Sequence, residues 1–242
     1  MKKELNSFQL KCICIGLMIV GVCLQQAVFM FNKEEQLPAG PALAYNFGYL
    51  LYLAAFPLAS FLLAEAARKT SDRKRLLKRL LAAALIVEIP MDIATFGVSG
   101  WKNWGLNQNF FFTMCIGLAV LMAVDVLGKK FKAGSMGYTL STLGIYLAGA
   151  ILAVFAKTEL GSIGMLMIIT VYLFYGNKMF SFLSMAVLYI MFVRQFFPAF
   201  SVLLTWFYNG EQGKNGKASR GVFYFAFPVV YVVLGIAAQM MQ

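Results

Sequence analysis

Two carboxylates, Glu88 and Asp92, lie four residues apart in a run of apolar residues and are the first groups in this sequence that could do chemistry. Residues at this spacing share one face of a helix. On such a face two acids can act as a general acid and base, or can bind a cation. Pro90, between them, removes a backbone donor and predicts a bend in the helix. The structural alternatives are an ion pair with Lys157 or Arg194 or, for Asp92, simple exposure at a membrane surface.

The chain of 242 residues contains no histidine. Ser-His triads, histidine bases and imidazole metal ligands are therefore excluded. The four cysteines lie in or beside apolar runs and lack the paired spacing of a metal site, so no metal is predicted. Glu88 and Asp92 are left as the candidates for a catalytic base.

A basic segment precedes the two acids. From Arg68 to Arg79 there are seven lysines or arginines and one acid, Asp72. Basic side chains at a helix start can bind the phosphates of an acyl carrier such as coenzyme A, or an anionic lipid surface. Membrane topology explains the same charges without any ligand. The candidate anion-binding residues are Arg73, Lys74, Arg75, Lys78 and Arg79.

The composition predicts the elements that must position these groups. Apolar residues make up 61% of the chain and charged residues 13%, against roughly 25% charged in soluble domains. We therefore expect an all-α, polytopic integral membrane protein whose residues 1–242 form a single transmembrane domain. At roughly 20 apolar residues per span, the spans fall at about 10–31, 44–64, 80–97, 109–127, 138–156, 162–175, 179–193, 196–208 and 221–241. The sixth to eighth are short and tilted or partly re-entrant, so eight to nine spans are predicted.

The distribution of the net charge of +11 along the chain agrees with this arrangement of spans. Under this assignment 17 of the 21 lysines and arginines fall on one side of the membrane. The positive-inside rule then predicts a multi-pass protein of the plasma membrane with a cytoplasmic N-terminus and an external C-terminus. The expected partner of the surface is the lipid bilayer, and no nucleic-acid partner is predicted.

Other acids are expected to form ion pairs close by in the sequence. Glu65 precedes Arg68 and Lys69, and Asp125 lies one turn before Lys129. Glu159 differs, because it falls with Asn109 and other polar residues on the external half. These residues predict a water-accessible cavity that opens outwards, or they are simply the polar ends of helices.

Eight segments of the chain, taken in order, resemble the TraX family of conjugal-transfer membrane proteins. They are LKCICIGLM, AAFPLASFLLAE (54–65), KRLLKRLL, EIPMDIA (88–94), QNFFFTMCIG (108–117), ELGSIG (159–164), WFYNGEQG (206–213) and FYFAFPVVY (223–231). The resemblance implies an integral membrane acetyl- or acyltransferase of the bacterial inner membrane. It also implies acetyl-coenzyme A as co-substrate, no bound cofactor, and a pilin-like peptide or other membrane-associated acceptor.

The resemblance extends to some site residues and fails at others. The residues predicted to line a cavity are Asn109, Thr113, Glu159, Tyr208 and Asn209. The Asp-His pair of the family falls on Gly21 and Val22, and its Asp-Tyr-Gly appears as Glu159, Leu160 and Gly161. A late histidine motif is also lost, so the usual base for acyl transfer is missing.

Three hypotheses follow. In the first, the chain is an acyltransferase in which Asp92 or Glu88 is the base and the segment from Arg73 to Arg79 holds acyl-coenzyme A. In the second, it is a catalytically degenerate family member that serves as a membrane binding or assembly partner. A solute transporter is disfavoured, because the chain shows no inverted repeat. The acyl acceptor and the oligomeric state stay open.

Overall fold

The structure of the protein is a computed structural model that describes residues 4–32, 37–97, 99–103, 107–214 and 217–240, with the backbone alone at 101, 103 and 217–223. The helices are α1 (Ser7–Phe31), α2 (Ala39–Lys69), α3 (Arg73–Phe96), α4 (Phe110–Gly128), α5 (Met136–Phe155), α6 (Gly161–Leu173), α7 (Lys178–Leu188) and α8 (Lys217–Met240). A π-helical turn, Tyr189–Val193, continues α7, and 3₁₀ helices cover Gly100–Asn103 and Phe197–Phe207. The described ranges contain no β-strand, only two isolated bridges.

The all-helical fold confirms the predicted class, and each predicted span overlaps a helix. Among the residues that the structure describes, four helices, α1, α2, α4 and α5, are long and apolar enough to cross a membrane. The predicted number of nine spans is not confirmed, because α6, α7 and the 3₁₀ helix Phe197–Phe207 have 13 residues or fewer. The 13 residues of α6 cover about 20 Å at 1.5 Å per residue, less than the roughly 30 Å of a hydrocarbon core.

Side chains fix where several helices begin. Asn6 and Gln9 form a reciprocal capping box at α1, with both hydrogen bonds at 2.9 Å. Asp72 caps α3 by accepting from the Arg75 N–H at 2.9 Å. Asn109 caps α4 in the same way, through the Phe111 N–H at 3.0 Å. The last of these caps also forms part of the site described below.

The first two helices cross closely at a pair of glycines. A Cβ atom on Gly21 would lie 2.7 Å from the Gly48 carbonyl oxygen and 2.8 Å from the backbone nitrogen of Tyr52. A Cβ on Gly48 would lie 2.8 Å from the Gly21 carbonyl oxygen. Small residues allow such backbone approach between membrane helices. The crossing places α2 at the centre, where it also packs against α4, α6 and the 3₁₀ helix Phe197–Phe207.

One end of the bundle, here called the basic end, gathers the start of α1, the α2–α3 connection, the end of α4 and residues 207–214. Leu5 forms a β-bridge with Tyr208, and the Lys69 amine donates to the Gly210 carbonyl at 2.6 Å. Arg73 forms an ion pair with Asp125. The expectation that Asp125 pairs with the lysines after α4 is therefore wrong, because α3 presents an arginine to it across the helix interface.

Candidate functional site

The start of α4 holds a buried carboxylate. Glu88, on α3, has no exposed surface, and its Oε2 accepts from the Asn109 backbone N–H at 3.1 Å and from the Asn109 amide at 2.7 Å. The same amide donates to the Ala84 carbonyl at 2.7 Å. A helix N-terminus favours negative charge through its free N–H groups. Glu88 is thus held by the helix start of α4 and its cap, and no lysine or arginine side chain that the structure describes forms an ion pair with it.

A second carboxylate meets the same helix start. Glu159 lies in the turn between α5 and α6 and accepts from the Tyr52 hydroxyl at 2.5 Å and from the Phe110 N–H. Thr113 donates to the Glu159 carbonyl at 2.6 Å. Burial raises the pKa of the Glu159 carboxyl to about 7, and the hydrogen bonds from Tyr52 and Phe110 oppose the rise. This group can therefore exchange a proton near neutral pH.

Asp92 is also inside the bundle, with 2% of its surface exposed. Its Oδ2 and the Oε1 of Glu88 have no hydrogen-bond partner. Within the described ranges neither acid forms an ion pair with a lysine or arginine, so pairing with Lys157 or Arg194 is not observed. The alternative of surface exposure for Asp92 is wrong. Unpartnered oxygens at such depth are rare and mark places where a proton or a substrate group can bind.

Asn109, Thr113, Glu159 and the two acids of α3 thus form one region around the start of α4, which we call the carboxylate cluster. Tyr52 and Tyr231 border it, and the charge of Glu159 acts on both tyrosines. Gly21, where the family resemblance would place an aspartate, packs directly on Tyr52. The close crossing of α1 and α2 leaves no room for a side chain there.

A cavity of about 440 Å³ opens at the basic end between α1, α2, α3 and residues 212–214. Two of the five predicted anion-binding residues, Arg75 and Arg79, line it. The other three do not: Arg73 is paired with Asp125, and Lys74 and Lys78 are exposed elsewhere on α3. Sequence reasoning missed three further cations of the lining, which are Lys11, Lys69 and Lys214.

The wall of this cavity contains a buried acid that sequence reasoning assigned only to an ion pair. Glu65 accepts from the Lys69 amine at 2.7 Å, from the Ser7 hydroxyl at 3.2 Å and from the Tyr208 hydroxyl. The predicted local ion pair of Glu65 is thereby confirmed. Tyr208 donates to Glu65 but does not itself line the cavity. Asn209 lies in the adjoining turn, where its side chain accepts from the Glu211 N–H at 2.9 Å.

The deep end of the cavity is apolar. It is lined by Phe110, Phe111 and Met114 of α4, and by Ala59, ten residues before Lys69 on α2. At 1.5 Å per residue the cavity therefore extends about 15 Å along α2. Phe110, Phe111 and Met114 are called the floor of the cavity below. Two further rings pack against it: the ring centroid of Phe56 lies 5.3 Å from that of Phe110, and the ring centroid of Phe227 lies 5.9 Å from that of Phe111.

The five residues predicted to line one outward cavity are separated by the structure. Three of them belong to the carboxylate cluster and two, Tyr208 and Asn209, to the basic end. None of the five lines the cavity at the basic end, and neither do Glu88 and Asp92. Asn109 and Glu159 lie inside the bundle, and the mouth of the cavity at the basic end lies among basic residues.

A family model described as TraX protein matches residues 8–238. The chain belongs to the TraX family. The match covers the carboxylate cluster and every lining residue of the cavity except Ser7, and it supports a membrane protein related to conjugation. Comparisons with curated proteins and with solved structures gave no match. The TraX-family chain thus combines a basic cavity with a buried, histidine-free group of carboxylates.

Proposed function

We propose that this TraX-family protein is an integral membrane acetyl- or acyltransferase. It takes its acyl group from acetyl-coenzyme A and transfers it to a pilin-like peptide or another membrane-associated acceptor. The observation that carries the proposal is the cavity, which has a basic mouth and an apolar floor. Such a cavity fits a donor with phosphates at one end and a small acyl group at the other.

The charges of the lining support an anionic ligand. Five basic side chains face two acids, Glu65 and Asp72. Glu65 is paired with Lys69, and the Oδ2 of Asp72 lies 3.5 Å from the Nε of Arg75. Because the basic side chains outnumber these two acids, the lining keeps an excess of positive charge. Arginine and lysine side chains bind phosphate oxygens through charge-assisted hydrogen bonds. In this proposal the basic end is cytoplasmic, where acyl-coenzyme A is available, and the C-terminus is external.

Acyl transfer breaks the thioester C–S bond, forms a C–N or C–O bond to the acceptor, and moves a proton from the acceptor to a base and then to the leaving thiolate. Glu88 or Asp92 supplies that base, since both carry an oxygen without a hydrogen-bond partner. Neither acid lines the cavity, whereas Phe110 and Phe111 do, and these two residues directly follow Asn109, whose side chain holds Glu88. Transfer therefore requires the aromatic floor to move aside once donor and acceptor are bound.

One observation favours the alternative, a catalytically degenerate member that acts as a membrane binding or assembly partner. The tight crossing at Gly21 and Gly48 occupies the place where the resemblance would put the Asp-His pair. Such a protein would retain the cavity and bind its ligand without turnover.

Binding of acetyl-coenzyme A to the purified protein in nanodiscs tests the proposal. The double variant Arg75→Gln, Arg79→Gln removes two charges from the cavity, whereas Lys74→Gln, Lys78→Gln removes two from the same helix outside it. Each charge-assisted hydrogen bond contributes about 1.5 to 3 kcal/mol. We expect the first variant to raise the Kd at least tenfold and the control about twofold or less. The absence of saturable binding by the parent protein would refute the proposal.

Transfer of labelled acetyl groups to candidate membrane peptides tests the chemistry. Loss of a positioned base typically lowers the rate by about 10² to 10⁴, so Glu88→Gln or Asp92→Asn should do so. Turnover unaffected by either change would remove the carboxylate base. Binding without any turnover in the parent protein would favour the degenerate alternative.

A further inference from the structure

We propose that Phe111 and Met114 set the length of acyl chain that the donor can carry, and that they restrict it to short acyl thioesters. The proposal rests on the proposed function, because it assumes that the cavity holds the acyl donor. Both residues line the deep end of the cavity, opposite its basic mouth.

The two side chains act as one surface. They lie three residues apart on α4 and therefore share a helix face, and their exposed fractions are 1% and 3%. A donor whose phosphates contact Arg75, Arg79 and Lys214 can only point its acyl group towards this face. The other apolar residues of the lining are Leu62, Leu63, Leu76 and Leu80, nearer the basic mouth on α2 and α3.

The floor is backed by other rings. Phe111 packs edge-to-face on Phe227 with the ring centroids 5.9 Å apart. It also packs on Phe110 in a tilted arrangement with the centroids 4.9 Å apart. Phe110 in turn packs on Phe56. Close-packed interiors resist the insertion of additional methylene groups. A longer acyl chain is thus excluded unless the floor is truncated.

Shortening a side chain of the floor should allow a longer acyl chain to enter and to bury its methylene groups favourably. Met114→Ala removes three heavy atoms from the floor, and Phe111→Leu removes an aromatic ring. Each methylene group that enters the new space contributes about 0.8 kcal/mol, which is roughly a fourfold gain in affinity. The matched control is Phe227→Leu, which perturbs the same aromatic layer at a residue that does not line the cavity.

The experiment measures competition by acetyl-, butanoyl-, hexanoyl- and octanoyl-coenzyme A against labelled acetyl-coenzyme A on the protein in nanodiscs. The parent should prefer acetyl- over hexanoyl-coenzyme A. In Met114→Ala and Phe111→Leu the affinity for hexanoyl relative to acetyl should rise at least tenfold, and in Phe227→Leu it should stay within about twofold. A general loss of packing would not shift this ratio selectively.

Two results would overturn the inference while leaving the proposed function intact. One is a parent that binds acetyl-coenzyme A and hexanoyl-coenzyme A equally well. The other is an unchanged ratio in Met114→Ala, the smaller change and the one to rely on if Phe111→Leu does not fold. A parent that binds no acyl-coenzyme A removes both proposals together.

Discussion

The acids of the cavity at the basic end and those of the carboxylate cluster have opposite kinds of partner. In the cavity each acid has a cation beside it, Glu65 with Lys69 and Asp72 with Arg75. In the cluster, across the described ranges, Glu88 is held by Asn109 and Glu159 by Tyr52, both neutral donors. Cations cancel the charge of a carboxylate, whereas neutral donors satisfy its oxygens and leave the charge in place. The first region is suited to bind an anion and the second to handle protons.

The largest expected effect comes from removing the neutral donor. Asn109→Ala deletes the cap of α4 and the hydrogen bonds of the side-chain amide to Glu88 and to the Ala84 carbonyl, so the buried carboxylate keeps only the backbone N–H of residue 109 from this pair of donors. We expect a loss of about 2 to 4 kcal/mol in the free energy of unfolding, from the lost cap and the lost hydrogen bond to a charged group, measured by denaturant titration in one fixed micelle. The control is Asn177→Ala, which deletes the exposed cap of α7 and should cost about 1 kcal/mol.

Adding Glu88→Gln to Asn109→Ala should recover part of that loss, because a neutral amide is less costly to bury than a carboxylate. Acetyl-coenzyme A affinity should change little in any variant that folds, since Asn109 does not line the cavity. If Asn109→Ala and Asn177→Ala lowered the free energy of unfolding equally, the proposed role of Asn109 in holding a buried carboxylate would be contradicted.

A smaller effect is expected at the helix crossing that closes the cluster. Gly21→Ala places a Cβ within 3 Å of the backbone of Gly48 and Tyr52, so α1 and α2 must separate. We expect a loss of about 2 to 3 kcal/mol. Gly16→Ala on the same helix has nothing within 4 Å of its new Cβ and should be neutral or stabilising by up to about 1 kcal/mol. Thermal unfolding of both variants checks this, and a neutral Gly21→Ala would contradict the close crossing.

The third prediction concerns pH. Burial raises the pKa of Glu159 to about 7 from 4.5, so the folded state binds more protons than the unfolded state between these values. Its stabilising contribution is present below pH 4.5 and is lost as the pH rises through about 7. From pH 5 to pH 8 the parent should lose about 2 kcal/mol more than Glu159→Gln. Parallel pH profiles of unfolding for the two proteins would show that this carboxyl is not perturbed.

Much of the architecture follows from the sequence, because apolar runs and caps are local signals. The apolar segment 109–127 coincides with α4, and the acids of α3, placed four residues apart, are both buried. The number of spans could not be derived in the same way. The π turn and the 3₁₀ helix near residues 189–207 depend on packing that periodicity does not encode.

The site was harder to predict because its members come from distant segments. Lys11 and Lys214 lie about 200 positions apart and meet only when residues 207–214 return to α1. Glu159 was expected at an external helix end, but its turn pairs with Gln108 inside the bundle, through the Gln108 N–H and the Lys157 carbonyl at 2.9 Å. The partner of Asp125 depends on how α3 and α4 pack. A charge count along the chain carries no information on such contacts.

The β-bridge between Leu5 and Tyr208 has a consequence for biogenesis. The Leu5 N–H donates to the Phe207 carbonyl at 3.0 Å, and the Ser7 N–H donates to the Glu211 carbonyl at 2.9 Å, so these hydrogen bonds form only after about 200 further residues have been synthesised. Domains generally fold from the N-terminus as the chain emerges from the ribosome. Here α1 can enter the membrane early, but the backbone N–H groups of Ser7 and Phe8 acquire their partners only after residues 211 and 212 have been made. A ribosome-stalled chain that ends near residue 200 would therefore contain most of the helices and still lack the wall of the cavity that Gln212 and Lys214 complete.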